Sequence, residues 1–232
     1  MNRNAWTTSR VGTLVAIVLL VVAAVAVAVW SLRPVSHLAI GAHQTRFVVP
    51  CDYDKFRQIM VRKNATAAIV ERSGMELIDV QIRDLQVDAS ADDRPLLNAI
   101  RGKSKMNLDA IRQIRVRLDD PAIDADELAL RQQATIEADS MNVVTKSIAA
   151  AGNLESYQTT LEARPSDDGT EVQVTVEMKV RVDVPKLFTN RADTRVQEAA
   201  ENAINEQARS IEMFIAEHAD KRLILPDLGG GN

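Results

Sequence analysis

The residue types that most often carry catalysis or bind metals are few and scattered in this chain. The three histidines, His37, His43 and His218, are far apart and show neither H-x-x-x-H nor H-E-x-x-H spacing, so a histidine-based metal site has little support. The C-x-x-C, Walker A, G-x-G-x-x-G and G-x-S-x-G patterns are also absent from the sequence. We therefore predict no cofactor, no metal centre and no catalytic residue, and we expect a protein that is not an enzyme.

Two groups of charged residues have a structural explanation. The acidic pair Asp167-Asp168 lacks the calcium-loop pattern and is typical of a solvated turn. Arg112, Arg115 and Arg117 form a short basic row. We interpret that row as an exposed sheet face, paired with acids of a neighbouring strand, rather than as an anion site.

Charge and aromatic content argue against a nucleic-acid partner. The formal net charge is −4, and because residues 1–33 contain three arginines and no acid, the rest of the chain is more acidic still. An acidic domain repels polyanions. Both tryptophans, Trp6 and Trp30, lie in or beside the first hydrophobic segment, so the remaining chain lacks the aromatic platforms on which unstacked bases lie.

A hydrophobic segment near the N-terminus predicts a membrane anchor. Residues 11–32 carry no charge, are bracketed by Arg10 and Arg33, and contain Trp30 near their C-terminal end. As a helix they would extend about 33 Å, enough to cross a bilayer, with the indole at the interface. A cleaved secretory signal is the alternative, but its apolar core is usually only about 7–15 residues. Residues 1–10 then form an N-terminal tail.

The distribution of charge around the anchor predicts its orientation. Arg3, Arg10 and the α-amine precede the segment, whereas Arg33 and the more distant Arg46 follow it. This bias places the N-terminus in the cytoplasm and the large domain outside, in the periplasm or at the cell surface. Cys51 is the only cysteine, so that domain must be stabilised by its core, and Cys51 is interpreted as a small buried apolar residue.

The first half of the domain alternates strands with short helices. A spacer over residues 33–42 leads to a strand over 43–49, and apolar residues at helical spacing predict helices over 52–61 and 65–71. A strand over 78–87 follows, in which the apolar positions change parity at Arg83-Asp84, which predicts a β-bulge. Residues 89–110 are polar, indicate at most one short helix, and form an insertion of unassigned role.

Antiparallel strands dominate the next part of the chain. Period-two alternation predicts strands over 114–118, 128–138, 141–149 and 157–163, the last ending in a turn from Pro165 to Gly169. The clearest strand follows, with an apolar residue at every second position. Those positions are Val172, Val174, Val176, Met178, Val180, Val182 and Val184.

A long amphipathic helix follows Pro185. Thr194 and Gln197 fit a capping box, which predicts that the helix begins near Arg195 and continues to Glu217. Its apolar positions form one stripe. They are Val196, Ala200, Ala203, Ile204, Ala208, Ile211, Phe214, Ile215 and His218. Residues 222–232 are interpreted as a flexible tail.

This order of elements resembles the START-like superfamily, also called SRPBCC. The fold class is then α+β, with a curved antiparallel sheet of six to seven strands packed on the C-terminal helix, the helix-grip fold. The resemblance covers residues 43–221 and implies an apolar cavity between sheet and helix. The residues that it implies for the cavity are Val174, Val176, Met178, Val180, Ile204, Ala208 and Ile211. Plain core packing of these residues is the alternative interpretation.

A second resemblance involves the band 7 (SPFH) membrane proteins. The residues that carry it are Asp168-Gly-Thr before a valine-rich strand and Asp183-Val-Pro-Lys-Leu before a helix. Those proteins also begin with a membrane segment, but their domain continues past the helix into a long coiled coil.

Two functions follow from these patterns. The first is a single-pass, membrane-anchored, non-catalytic domain that binds a hydrophobic small molecule or lipid. The alternative is an envelope assembly protein with a packed core that binds another protein. An enzyme of the cyclase or hydrolase type is a third hypothesis, and it would require ionisable groups that point into the cavity, of which the implied cavity residues include none.

Overall fold

The structure is a computed structural model, and it describes residues 20–22, 27, 29–62, 65–72, 75–88, 107–118 and 123–220. Among these residues the predicted strands and helices are present in the predicted order. In chain order they are β1 (Pro34–Val49), α1 (Tyr53–Arg62), α2 (Ala65–Arg72), β2 (Glu76–Asp88), β3 (Asn107–Arg117), β4 (Glu127–Ile136), β5 (Met141–Ser147), β6 (Leu154–Ser166), β7 (Gly169–Pro185) and α3 (Thr189–Ala219).

The strands form one antiparallel sheet. The order across it is β1-β7-β6-β5-β4-β3-β2, so chain neighbours are also spatial neighbours except that β1 pairs with β7. One face of the sheet, called here the inner face, carries the buried apolar residues of alternate positions and packs against the three helices. The fold is therefore the predicted helix-grip arrangement of a seven-stranded antiparallel sheet on a long C-terminal helix.

Strand β1 is longer than the sequence predicted. It begins at Pro34 rather than at residue 43, and it pairs with β7 continuously from Pro34↔Pro185 to Val49↔Thr170. The segment 34–42, predicted as a spacer, is therefore strand. Its apolar pattern gave no clear signal because Leu38 and Ile40 point to the exposed side of this edge strand, while the buried positions carry only Ala39 and a glycine.

The predicted bulge in β2 is present. The pairing of β2 with β3 shifts between Ile82 and Asp84, where the apolar positions change parity. A second shift lies between Leu77 and Asp79 and was not predicted. An extra residue turns the following side chains to the other face, and the two shifts together keep Leu77, Val80, Ile82, Leu85 and Val87 on the inner face.

The long helix begins earlier than predicted, and the capping-box prediction is wrong. Helix α3 starts at Thr189, directly after a short 3-10 turn over Lys186–Phe188. Thr194 lies inside the helix, and its Oγ1 donates to the carbonyl oxygen of Asn190 at 3.0 Å. The 3-10 turn after Pro185 already brings the chain into a helical conformation, so no start is needed at Arg195.

Helix α3 lies close to the edge strand β1. A Cβ atom at Gly41 would be 2.4 Å from the carbonyl oxygen of Val196, which is closer than non-bonded atoms approach. His37 Nε2 is 2.8 Å from Asp193 Oδ1 in the same contact region. The first turns of α3 are therefore held against one edge of the sheet, and the helix then continues towards α1 and α2, with which it also packs.

Several sequence predictions concern residues outside the described ranges. They are the N-terminal tail, most of the anchor at 11–32, most of the insertion at 89–110, and the tail at 222–232. No helix composed of described residues has the length and apolar character that crossing a membrane requires. Within the predicted anchor, residues 20–22, 27 and 29–32 are described, and all of them are helical except Leu32, which lies in a turn.

Candidate functional site

The inner face of the sheet consists of transverse rows, because residues paired across neighbouring strands point to the same side. One row runs through the middle of the sheet and takes one residue from each strand. From β1 to β2 these residues are His43, Val176, Thr159, Thr145, Gln132, Arg112 and Ile82. The rows on either side are mainly apolar, so this middle row is a polar band across an apolar surface.

The cavity residues implied by the START-like resemblance lie where the helix faces the sheet. Val174, Val176, Met178 and Val180 are buried on the inner face of β7. On α3, Ile204 and Ile211 are fully buried, and Ala208 is half-buried. All except Ala208 belong to one apolar cluster.

Four residues of the middle row form the candidate site, and we call them the polar row. They are Arg112, Gln132, Thr145 and Thr159, on four adjacent strands from β3 to β6. Gln132 Nε2 donates to Thr145 Oγ1 at 3.2 Å, and Gln132 Oε1 accepts from Thr66 Oγ1 of α2 at 3.2 Å. These two bonds fix the Gln132 amide between the sheet and a helix.

Arg112 is the charged member of the polar row. Its neighbours on the inner face of β3 are Ala110 and Ile114, both buried, and it pairs with Gln132 on β4 and Ile82 on β2. The residue as a whole is half-buried, yet its Nε is buried without a hydrogen-bond partner. An arginine is charged at any physiological pH, so a positive charge lies on the inner face of the sheet.

This position corrects the interpretation of the basic row. Arg115 and Arg117 do lie on the outer face, where they form ion pairs with Asp79 and Glu76 of the neighbouring β2 strand. Arg112 points to the opposite face, because its position in the strand has even parity whereas theirs is odd. The three arginines therefore do not form one surface.

Tyr157 lies on the inner face next to the polar row. It is paired with Met178 on β7, and its backbone N–H donates to Ser147 Oγ on β5 at 3.1 Å. Burial raises the pKa of its phenol to about 12, because the charged phenolate would lose its hydration. The phenol is therefore a neutral hydrogen-bonding group at physiological pH.

The inner face is least covered along β2. Ile82, Leu85 and Val87 pair with inner-face residues of β3, and their exposed fractions are 62%, 54% and 53%. At the other side of the sheet, inner-face residues of β7 such as Val174 are fully buried. The inner face is thus covered along β7 and exposed along β2, next to Arg112.

The remaining residues considered for chemistry have structural surroundings. Cys51 is half-buried, and burial raises the pKa of its thiol, which disfavours the reactive thiolate. His218 Nδ1 contacts the carbonyl oxygen of Phe214 at 2.8 Å. Over the part of the chain that the structure describes, no three His, Cys, Asp or Glu side chains are grouped to hold a metal ion.

Comparisons with known proteins found similar folds but no related sequence. No protein-family model matches the sequence, and the search of curated proteins found no relative. Similar solved structures include Ara h 8.0201, with 10% identity over 78% of this chain and 100% of that chain and a TM-score of 0.44. They also include TTHA0849 from Thermus thermophilus, with 9% identity over 78% of this chain and 99% of that chain and a TM-score of 0.47.

Enzymes are among the similar structures. The Zhui aromatase/cyclase from Streptomyces sp. R1128 is 11% identical over 80% of this chain and 100% of that chain, with a TM-score of 0.42. At such identities the likeness describes the fold alone. These neighbours have helix-grip folds, as the START-like resemblance implies, and they give no support to the band 7 resemblance.

The prediction that the chain is not an enzyme is contradicted by its structural neighbours. It relied on the absence of catalytic motifs, yet the neighbours include the aromatase/cyclase and a norcoclaurine synthase from Thalictrum flavum. A domain of this fold can therefore be catalytic. The implied cavity residues include no ionisable group, but Arg112 is an ionisable residue on the same inner face of the sheet.

The sequence did contain a signal for the polar row. In β4 the even positions are Leu128, Leu130, Gln132, Ala134 and Ile136, so Gln132 is a single polar residue in an otherwise apolar set. Arg112 interrupts β3 in the same way. A single polar residue in an apolar alternation is common and gives no clear signal by itself. Only the strand register shows that Arg112 and Gln132 are direct neighbours.

Proposed function

We propose that this chain is a membrane-anchored domain that binds an apolar small molecule or lipid between its sheet and its long helix. The observation that carries the proposal is the polar row on the inner face. Polar side chains are rare in a core that serves only stability, because each must keep its hydrogen bonds away from water. A few polar groups within a mostly apolar lining are, in contrast, typical of a ligand site.

The open side at β2 supports the same proposal. The apolar residues Ile82, Leu85 and Val87 continue the inner face to a side where they are more than half exposed. An apolar ligand that enters there would cover side chains that now contact water, with a gain of about 25 cal/mol for each Å² of apolar surface removed from water. Its end would then lie near the polar row.

The residues lining the ligand are proposed on two surfaces. The two surfaces are the inner face of β7 and the buried stripe of α3, which face each other. The lining residues are Val174, Val176, Met178, Val180, Ile204, Ala208 and Ile211. A buried stripe of this kind is also compatible with a packed core, which is the interior expected of an assembly protein, so a binding experiment must distinguish the two.

Photo-crosslinking of the full chain in lipid nanodiscs provides that experiment. The probe is an alkyl alcohol with a diazirine at the end of its chain, and crosslinked peptides are mapped by mass spectrometry. We expect labelling of peptides from β2 and α3 that is competed by unlabelled alcohol. Labelling of residues 11–32 reports insertion of the probe into the bilayer. If only those residues are labelled, the domain does not bind apolar ligands and the assembly function is favoured.

The membrane anchor is part of the proposal. The segment 11–32 carries no charge, and the described apolar residues within it, among them Leu20 and Trp30, are largely exposed. An exposed apolar helix is stable when lipid surrounds it. With the N-terminus in the cytoplasm, protease added to intact cells or spheroplasts should digest residues 34–232. Full protection of that region, with digestion after permeabilisation, would reverse the orientation.

A further inference from the structure

We propose that the ligand is an amphiphile with one terminal carboxylate, and that the guanidinium of Arg112 binds this carboxylate. The inference rests on the proposed function and adds the chemical class of the ligand. It starts from the contrast between Arg112, whose buried Nε has no hydrogen-bond partner, and the arginines of the fold that form ion pairs.

Several arginines elsewhere in the described domain have anionic or carbonyl partners. Arg115, Arg117 and Arg181 form ion pairs with carboxylates of neighbouring strands. Arg57, which is buried, donates to the carbonyl oxygen of Glu137 and to Asp54. Among the described residues, no carboxylate forms an ion pair with Arg112, and its Nε has no hydrogen-bond partner.

An unpaired cation on an apolar face is an unfavourable arrangement for stability alone. Removing a charge from water costs several kcal/mol unless a counter-ion and hydrogen bonds replace the water. The nearest inner-face neighbours of Arg112 cannot supply the counter-ion. They are Ile82, Ala110, Ile114 and Gln132, all of them neutral.

Two neutral members of the polar row, Gln132 and Thr145, are hydrogen-bonded to each other. Gln132 is bonded to Thr66 and Thr145, so its amide holds a fixed orientation beside Arg112. A carboxylate would therefore find one strong partner, the planar fork of the guanidinium, which binds carboxylates through two parallel hydrogen bonds. A neutral hydroxyl would gain only one ordinary hydrogen bond.

The apolar part of the ligand is placed by the open side of the sheet. Ile82 is the β2 partner of Arg112, and Leu85 and Val87 follow along the same strand with more than half of each side chain exposed. From Ile82 to Val87 the strand extends roughly 15 Å at about 3.3 Å per residue, allowing for the bulge. A linear alkyl chain of similar length, as in lauric acid, would cover this surface with its carboxylate at Arg112.

The test compares two photoreactive probes of equal length, lauric acid and dodecanol, each with a terminal diazirine, on the full chain in neutral nanodiscs. We expect the wild-type domain to bind the acid at least about tenfold more tightly than the alcohol, as judged by concentration-dependent labelling of β2 and β3 peptides. R112Q should abolish this preference, because labelling by the acid falls far more than labelling by the alcohol. R115Q, on the outer face of the same strand, should retain the preference.

A second variant identifies the apolar surface. L85N should weaken labelling by the acid and the alcohol to the same degree, because it alters only the surface beneath the alkyl chain. If R112Q does not fold, R112K is used instead. Lysine keeps the positive charge but lacks the two parallel N–H donors of the guanidinium, so we expect a reduced preference for the acid.

The outcomes separate the two proposals. Equal labelling of the wild-type domain by acid and alcohol, or a preference for the acid that R112Q retains, would overturn the role of Arg112 while leaving apolar binding intact. Absence of labelling outside residues 11–32 with both probes would overturn the proposed function itself, and the carboxylate proposal with it.

Discussion

The side-chain amide of Gln197 forms two hydrogen bonds with the backbone of a single residue, Ala42. Gln197 Oε1 accepts from the Ala42 N–H at 3.1 Å, and Gln197 Nε2 donates to the Ala42 carbonyl oxygen at 2.7 Å. Ala42 lies in the edge strand β1, whose outward backbone groups have no partner strand. The helix therefore supplies, at this point, the hydrogen bonds that a further strand would make.

Replacing Gln197 with Ala should lower the free energy of unfolding by about 1–3 kcal/mol, because two exposed hydrogen bonds are lost at roughly 0.5–1.5 kcal/mol each. The measurement is the thermal or urea midpoint of the full chain. Asn205→Ala, at an exposed position of the same helix, serves as the control and should cost nothing. Equal effects of the two variants would show that the contact with Ala42 does not stabilise the fold.

Gly41→Ala should destabilise the domain by about 1–3 kcal/mol, the usual cost of overpacking. The added Cβ would meet the carbonyl oxygen of Val196 at 2.4 Å, so α3 must move away from β1. At a strand position with free space beside it, a change from glycine to alanine would be stabilising. The direction of the change in stability therefore tests the contact between Gly41 and Val196. Ala42→Ser, at the exposed next position, should change stability by less than about 0.5 kcal/mol. A higher melting temperature for Gly41→Ala would place the helix farther from the strand.

Val176→Asp should destabilise the domain by several kcal/mol. Val176 is 1% exposed on the inner face, and its direct neighbours across the sheet are Thr159 and His43. A carboxylate there loses its hydration without a strong compensating partner. Thr175→Asp, which places the same group on the outer face, should cost under about 1 kcal/mol. Comparable melting temperatures for the two variants would mean that Val176 is not buried.

Stability should fall as the pH rises from about 10 to about 12. Burial raises the pKa of Tyr157 from 10.0 to about 12, so in this range the unfolded chain has released a proton that the folded chain still holds. The stabilisation is complete below pH 10 and is lost as the pH approaches 12. Urea titrations across this range, read by circular dichroism, measure the effect.

Tyr157→Phe is the matched variant for the alkaline titration. It retains the ring but has no ionisable proton, so its stability should fall less steeply with pH. The only other tyrosine, Tyr53, also has a raised pKa because of burial, and it should account for the loss that remains in the variant. Parallel pH profiles for wild type and variant would contradict burial of the Tyr157 phenol.

The sequence by itself determined the type and order of most strands and helices, because these arise from local periodicity, and the resemblance of that order to the START-like superfamily implied the helix-grip fold. Seven apolar residues at alternate positions can form only a strand such as β7, and the stripe from Val196 to Ile215 can form only an amphipathic helix. The bulge at Arg83 was predicted for the same reason, since a change of parity is visible within the strand itself.

The tertiary structure alone decided the start of α3, the length of β1 and the candidate site. Gln197 fits a capping pattern locally, but its amide bonds to a strand 155 positions away in the chain. Arg112 and Gln132 become neighbours, and Thr145 and Thr159 continue their row, only through the pairing of four strands. Register is set by the packing of a whole face of the sheet, so no single segment of sequence could reveal that these polar residues form one band.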